Sequence, residues 1–456
     1  MSKFPTVFLL IAVVFGCQFA AIGLAHDGED HHHHPAKIEP AEFYAPTAMP
    51  DRVVLTWTGD PTKTQAVTWR TSTDVKKGLA EIAVATGGPK FDESAKQLVA
   101  KTQPLETDIN TAHFHTVEFE DLKPGTKYAY RVGDGENWSE WFQFSTAKAD
   151  ETKFSFIYFG DAQNDVRSKW SRVIREAYSD APKAAFMLHA GDLINRAERD
   201  AEWGEWFGAG AFLNAMIPSV PVPGNHEQAK GEDGKRHLSH HWRPSFALPE
   251  NGPQGLEESC YWLHYGNMLI VGMNSSEDLE VQAKWLTNLL EENEKQWVVC
   301  TFHHPVFSTG KGRDNAELRN IWKPIFDKYK VDLVLQGHDH TYGRTGLETP
   351  LADSEKETQE KNLPTGVNNF DEQTGTVYVV SVSGPKMYSL NAHPFMNSTA
   401  ANTQLYQIIS VDGDTIKYEA RTAVGDVHDS FTLKKRDGEI NELIEGPVVK
   451  KDASTE

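Results

Sequence analysis

The alternation of apolar and polar positions changes its grammar near residue 150. Between Asp51 and Ala147 the apolar positions come in short runs: RVVLTWTGD, QAVTWRTS, AEIAVA, FHTVEFEDL, TKYAYRVGD and EWFQFSTA. These runs are rich in β-branched and aromatic residues, and turn clusters such as Gly59-Asp60-Pro61 and Lys123-Pro124-Gly125-Thr126 separate them. Several short strands at that spacing predict a β-sandwich. His113 and His115 share a strand face within it and read as a solvated pair.

Beyond Lys153 strands alternate with helices. FSFIYFG leads into a helix carrying Val166, Trp170, Val173, Ile174 and Ala177 on one face. KAAFMLHAG and IPSVPVPG read as apolar strands, and Cys260 to Asn274 as a hairpin turning at Gly266-Asn267. Trp285, Leu286, Leu289 and Leu290 recur at helical spacing, as do Leu318, Ile321, Trp322, Ile325, Phe326 and Tyr329. GTVYVVSVSG, TQLYQIISVDG and TIKYEARTA close an α/β layered domain, whose ligands should collect at strand ends. His189 lies inside a strand and reads as a satisfied core residue.

The ends of the chain read differently. Residues 1–25 have Lys3 followed by an apolar run from Val7 to Phe15 and small residues up to Ala25, the layout of a cleaved export signal. The expected location is therefore secreted or periplasmic; the alternative is a lipid anchor on Cys17, and no later run is apolar enough to span a bilayer. Residues 26–50 form a His-rich leader and linker, 51–148 the sandwich, 151–433 the α/β domain and 434–456 a charged tail. The net charge of -20 argues against a nucleic-acid binder, although a phosphate site remains open if metal supplies its positive charge. Cys260 and Cys300 sit in strand-like runs, so two buried thiols and one disulfide are equally open.

Five strand ends carry candidate chemistry. Phe154 to Phe159 ends in Gly160-Asp161-Ala162-Gln163, and Ala185 to Ala190 in Gly191-Asp192-Leu193-Ile194-Asn195. Val220 to Pro223 ends in Gly224-Asn225-His226-Glu227, Trp297 to Phe302 in His303-His304-Pro305. The last, after Val331 to Leu335, is Gly337-His338-Asp339-His340, where two-residue spacing on an extended backbone would point both imidazoles one way. Two carboxylates, an amide oxygen and several imidazoles at strand ends can hold two metal ions about 3.5–4 Å apart, a spacing suited to phosphate ester hydrolysis.

The ordered series GDxx, GDxxx, GNHE, xxHHP and GHDH resembles the calcineurin-like metallophosphoesterase superfamily. The sandwich in front, with VVLTWTGDP and LKPGTKYAYRVGDG, narrows the resemblance to the purple acid phosphatase-like branch. It implies a fibronectin type III-like β-sandwich packed on an α/β/α two-sheet catalytic domain with two divalent metal ions. On that resemblance Asp161 and His340 bind the first ion, Asp192 bridges, and Asn225, His303 and His338 bind the second. His226 faces the scissile phosphate as leaving-group acid or charge stabiliser, and the nucleophile is a metal-bound hydroxide. The implied activity is an exported phosphatase acting on small phosphomonoesters. The alternatives are a phosphodiesterase or nucleotidase with the same centre, and a non-catalytic metal- or phosphate-binding surface protein.

Two departures from the family pattern stand out. Asn195 occupies the position of the branch's tyrosine, so a ferric-tyrosinate centre is disfavoured and Fe, Mn, Zn or Mg remain open as divalent ions. Gln163 stands where the wider superfamily has histidine, and its amide oxygen can take that ligand's place. Asn195 and His304 are further substrate-side candidates, and Lys311 and Arg313 offer a phosphate clamp against the alternative of a solvated loop. Tyr342 and Arg344 read as supports for the histidines before them, and His237, His240 and His241 as an insertion able to reach over the site.

Overall fold

The computed structural model describes residues 37–232, 234–367, 371–373, 375–436 and 438–447. The expected signal, the His-rich tract and the last nine residues lie outside that range, so the readings made on them stand as expectations.

Two four-stranded antiparallel sheets face each other over the first hundred described residues. One takes Asp51–Thr56, Gln65–Ser72, Thr111–Phe119 and Lys101–Glu106 in that order, the other Lys96–Val99, Leu79–Val84, Lys127–Gly133 and Phe142–Ser145. Trp69, Tyr130, Phe119 and Phe144 fill the space between them. His113 and His115 are not solvated. His115 is fully buried, stacks on Trp69 and lies within hydrogen-bond distance of the Thr71 and Thr102 hydroxyls, while His113 Nδ1 meets the Val75 carbonyl.

The α/β region holds two seven-stranded sheets. The first runs Ser219–Pro221, Met187–His189, Lys153–Phe159, Leu405–Asp412, Thr415–Thr422, Val427–Lys434, Glu442–Glu445. The second runs Tyr261–Tyr265, Met268–Gly272, Trp297–Thr301, Leu333–Gln336, Val377–Val380, Tyr342–Thr345, Met396–Ala400. In each, three or four consecutive strands are parallel, and their near-continuous apolar character is what burial on both faces requires. A shared core lies between the sheets, and Leu279–Glu291 and Ala316–Tyr329 bury the expected stripes on the outer face of the second.

Several local expectations change. The helix after the first strand opens as a π-turn, Val166–Trp170, before the α-helix Ser171–Asp180. The charged tail expected from residue 434 contains an edge strand, Glu442–Glu445, because Arg344 reaches from beneath to bind both Asp429 and Glu445. Tyr342 donates to Asp429 as well, so this pair braces the two sheets rather than the histidines. His189 is buried against Phe159, Trp170 and Trp206 with neither ring nitrogen hydrogen-bonded, and burial pushes its pKa down to about 3. Cys260 and Cys300 are both buried free thiols.

The sandwich docks through polar contacts. Arg52 and Arg70 converge on buried Asp200, Thr68 donates to the Ser245 carbonyl, and Tyr130 donates to the Ala215 carbonyl.

Candidate metal centre

The parallel strands of both sheets end on one side of the shared core, and a bridge between Asp161 and Val382 draws those ends together. The chain turns sharply there. Asp192, His338 and His340 all have left-handed backbone, with φ of 53°, 76° and 50°, a conformation costly for non-glycine residues and held only by surrounding structure. The expected extended geometry for the histidine pair is therefore corrected: the strand stops at Gln336, and bends aim the two imidazoles. Gly224 is needed for close approach, since a Cβ there would lie 2.2 Å from Asp192 Oδ1.

The side chains assemble two groups that share one carboxylate. Asp192, His303 and His338 bring ligand atoms within 4.8 Å of one another, and so do Asp161, Asp192 and His340. In the first group His303 Nε2 lies 3.2 Å from Asp192 Oδ2, 3.1 Å from Asn225 Oδ1 and 3.1 Å from His338 Nδ1. The Ala190 carbonyl, 3.0 Å from His303 Nδ1, accepts the hydrogen of that nitrogen, so Nε2 is the nitrogen turned towards Asp192 and Asn225.

In the second group His340 Nδ1 donates to the Lys386 carbonyl at 2.8 Å, leaving Nε2 3.5 Å from Asp161 Oδ1. Gln163 joins this group through its Nε2, which donates to Asp192 Oδ2 at 2.6 Å and lies 3.1 Å from His340 Nε2, so its amide would have to turn over for the expected oxygen to act as a ligand. Asp161 Oδ1 and Gln163 Oε1 are buried without a hydrogen-bond partner. Orphaned oxygens beside inward-facing imidazoles are the donor set of a cation site, so the residues fit divalent metal.

Electrostatics describe the same need. Burial pushes the Asp161 carboxyl well above its usual range. Burial opposes charge on His303 too, but the Asp192 carboxylate more than offsets it and raises the imidazole to about 9. Burial, with His303, His304 and Arg313 nearby, holds His338 far below its ordinary value, and burial lowers His340 to about 4. Against burial, His303 and His226 hold Asp192 ionised, so the protons a metal would displace are those on Asp161 and His303, while His338 and His340 stand neutral.

One residue of the motifs was given no role by sequence reasoning. Glu227 is fully buried, and its carboxylate accepts backbone N–H groups from Asp192, Leu193, Ile194 and Gly224 at 2.7–3.2 Å. It holds the Asp192 turn against the Gly224 turn. The acid after Asn225-His226 was the available signal, but only the fold shows which amides it gathers.

Comparison with known proteins gives the same reading. Residues 50–146 match the family model for the N-terminal domain of purple acid phosphatase, and 154–342 match calcineurin-like phosphoesterase. The chain belongs to the purple acid phosphatase-like metallophosphoesterases. It is 25% identical over 343 residues to acid phosphatase type 7 of Mus musculus, covering 67% of this chain and 73% of that protein. Among solved structures it resembles a purple acid phosphatase from yellow lupin (Lupinus luteus) seeds, with a TM-score of 0.68 at 16% identity over 86% of this chain and 76% of that one. PhoD has a TM-score of 0.62 at 14% identity over 89% and 94%. This phosphoesterase is thus a phosphate-ester hydrolase of a metal-dependent family.

The remaining candidates sit around the metallophosphoesterase centre. His226 is partly exposed; its backbone N–H donates to Asp192 Oδ1 at 3.0 Å, and its Nε2 lies 4.0 Å from Asp192 Oδ2. The Asn195 carbonyl, 2.5 Å from His226 Nδ1, can only accept, so Nδ1 carries the hydrogen. Asn195 uses its backbone here, its N–H going to Glu202. His304 packs on His338 with ring centroids 4.2 Å apart and shares a hydrogen bond with Ser275. Arg313 is anchored rather than solvated: its guanidinium donates to the His338 carbonyl and covers the Tyr388 ring. The His237-to-His241 insertion does not deliver its buried histidine to the site; His241 turns to Asp200 and Glu198 instead.

Proposed function

We propose that this chain is an exported, metal-dependent phosphatase that hydrolyses small phosphomonoesters at a dinuclear centre. The observation that carries the reading is the pair of ligand groups sharing Asp192. Asp161, Gln163 and His340 would hold the first ion with Asp192, and Asn225, His303 and His338 the second. When bound, two divalent ions supply positive charge to the phosphate oxygens and acidify water.

The chain's own residues do the rest. The Ala190 and Lys386 carbonyls hold the Nδ1 hydrogens of His303 and His340, so both rings are oriented with Nε2 inward before any ion arrives, and the second proton of His303, on Nε2, is one that an ion would displace. His226 keeps one hydrogen on Nδ1 against the Asn195 carbonyl, and in its protonated form it would give the second, on Nε2, to the departing alkoxide and be left as the neutral ring. Asn195 carries no phenol, so the iron-loaded protein should lack the tyrosinate-to-ferric charge-transfer band and not be purple.

No described helix is long and apolar enough to cross a membrane, and export rests on the apolar, small-residue pattern of residues 1–25. The test is hydrolysis by metal-stripped protein of an aryl phosphomonoester and an aryl phosphodiester, with Mn, Zn, Mg or Fe restored singly. Monoester turnover on restoration supports the reading. Preference for the diester moves the same residues to phosphodiesterase chemistry, and no turnover despite metal uptake supports a binding protein.

A further inference from the structure

Three cations lie around this centre, and each is tied to a different candidate ligand. Arg236, exposed on the strand Arg236–Leu238, donates to the Asn225 carbonyl at 2.9 Å. Arg313 donates to the His338 carbonyl at 3.0 Å. Lys386, half-buried, gives its own carbonyl to His340 Nδ1. Tyr388 organises two of them: its ring packs 4.6 Å from that of His340, with the Arg313 guanidinium 4.7 Å and the Lys386 ammonium 5.4 Å from its centroid. The loops that carry them are joined by a bridge between Gly310 and Leu390.

These charges are largely uncompensated. Neither Arg236 nor Lys386 forms an ion pair with a carboxylate among the described residues, and Arg313 has only Asp339 at 3.7 Å. That is unusual for a chain of net charge -20, where acids outnumber bases. Two divalent ions set against Asp161, Asp192 and one hydroxide would leave a single positive charge, so a phosphate dianion would call on one further cation, and two of the three rim cations are surplus to a simple monoester. Exposed guanidinium and ammonium groups at a cleft mouth select charge on the part of the ligand that projects outward.

We infer that Arg236, Lys386 and Arg313 form a second anion subsite, and that the preferred substrates are phosphate esters carrying a further phosphate group. This rests on the phosphatase reading above and names the substrate class of the same site.

The test compares fructose 1,6-bisphosphate with fructose 6-phosphate on the metal-loaded full chain, native and Arg236→Ala/Lys386→Ala. The native protein should favour the bisphosphate in kcat/KM by about tenfold, and the variant should bring the ratio close to one. A second readout avoids turnover: calorimetric binding of methylenediphosphonate against methylphosphonate, whose affinity ratio should fall by a similar factor in the variant. Ratios that are the same in native and variant protein, in both assays, overturn the inference. Absence of turnover on every ester overturns the phosphatase reading instead, and the phosphonate ratios still decide this one.

Discussion

Asp192 and Asp200 stand eight residues apart, both fully buried, both beside a buried histidine. Asp192 has His303 at 3.2 Å and Asp200 has His241 at 3.4 Å. Their surroundings differ in one respect. Asp200 is met by Arg52 in two hydrogen bonds and by Arg70 at 3.4 Å, so its charge is answered within the protein. Among the described residues the Asp192 carboxylate meets no lysine or arginine, and its polar partners are imidazoles, the Gln163 amide nitrogen and a backbone N–H. A buried acid with its own arginines is a docking device; one met by no lysine or arginine, and standing within reach of other metal-ligating side chains, is a place prepared for a cation from outside.

The sharpest way to break that comparison is to remove each charge. Asp192→Asn should lower kcat by on the order of 10³-fold, while the denaturation midpoint does not fall. A variant that keeps its turnover would end the metal-centre account. Asp200→Asn should do the opposite: it leaves Arg52 buried without its carboxylate partner (Arg70 keeps Asp51), costs about 3–5 kcal/mol of stability, and spares kcat of the folded fraction. Urea denaturation with activity measured on the same samples checks both.

Glu227→Gln sharpens the account of the first acid. It leaves every candidate ligand in place but loses an acceptor that holds four backbone amides, so activity or metal affinity should fall about 10–100-fold. An unchanged metal titration would show that the Asp192 turn holds itself.

The smallest expected effect is on pH dependence. Burial disfavours charge on Asp200, but hydrogen bonds from His241 and Arg52 outweigh it and hold the carboxyl well below its usual range. A depressed carboxyl contributes stability that is present above its unfolded value of about 4 and is lost as pH falls through the folded value. Burial lowers His241, yet Asp200 and Glu198 raise it overall, so its contribution is present below about 6.5 and fades as pH rises through the folded value. The native chain minus the Asp200→Asn variant should therefore show its largest stability difference between about pH 4 and 6.5. A difference independent of pH would contradict this assignment.

Much of the centre was legible because each motif follows an apolar strand, and parallel strands deliver their ends to one edge. What sequence could not show is direction. His113/His115 and His338/His340 have the same two-residue spacing, but the first pair lies in a regular strand against a backbone carbonyl and two threonines, and the second on left-handed bends beside Asp161 and Asp192. Positive φ at His338 and His340 has no signature in the residues themselves. The pairing of Arg344 with Glu445 spans 101 positions, which is why the last strand read as a charged tail. Gln163 does lie beside Asp192 and His340, but the sequence could not show that its Nε2, rather than its oxygen, faces them.

The central claim, that two ions share Asp192, is tested most directly by electron paramagnetic resonance of the metal-stripped chain titrated with Mn(II). The account predicts a spin-coupled pair that develops by two equivalents per chain and is lost in Asp192→Asn. A single ion per chain, or two that give only uncoupled spectra, would contradict it.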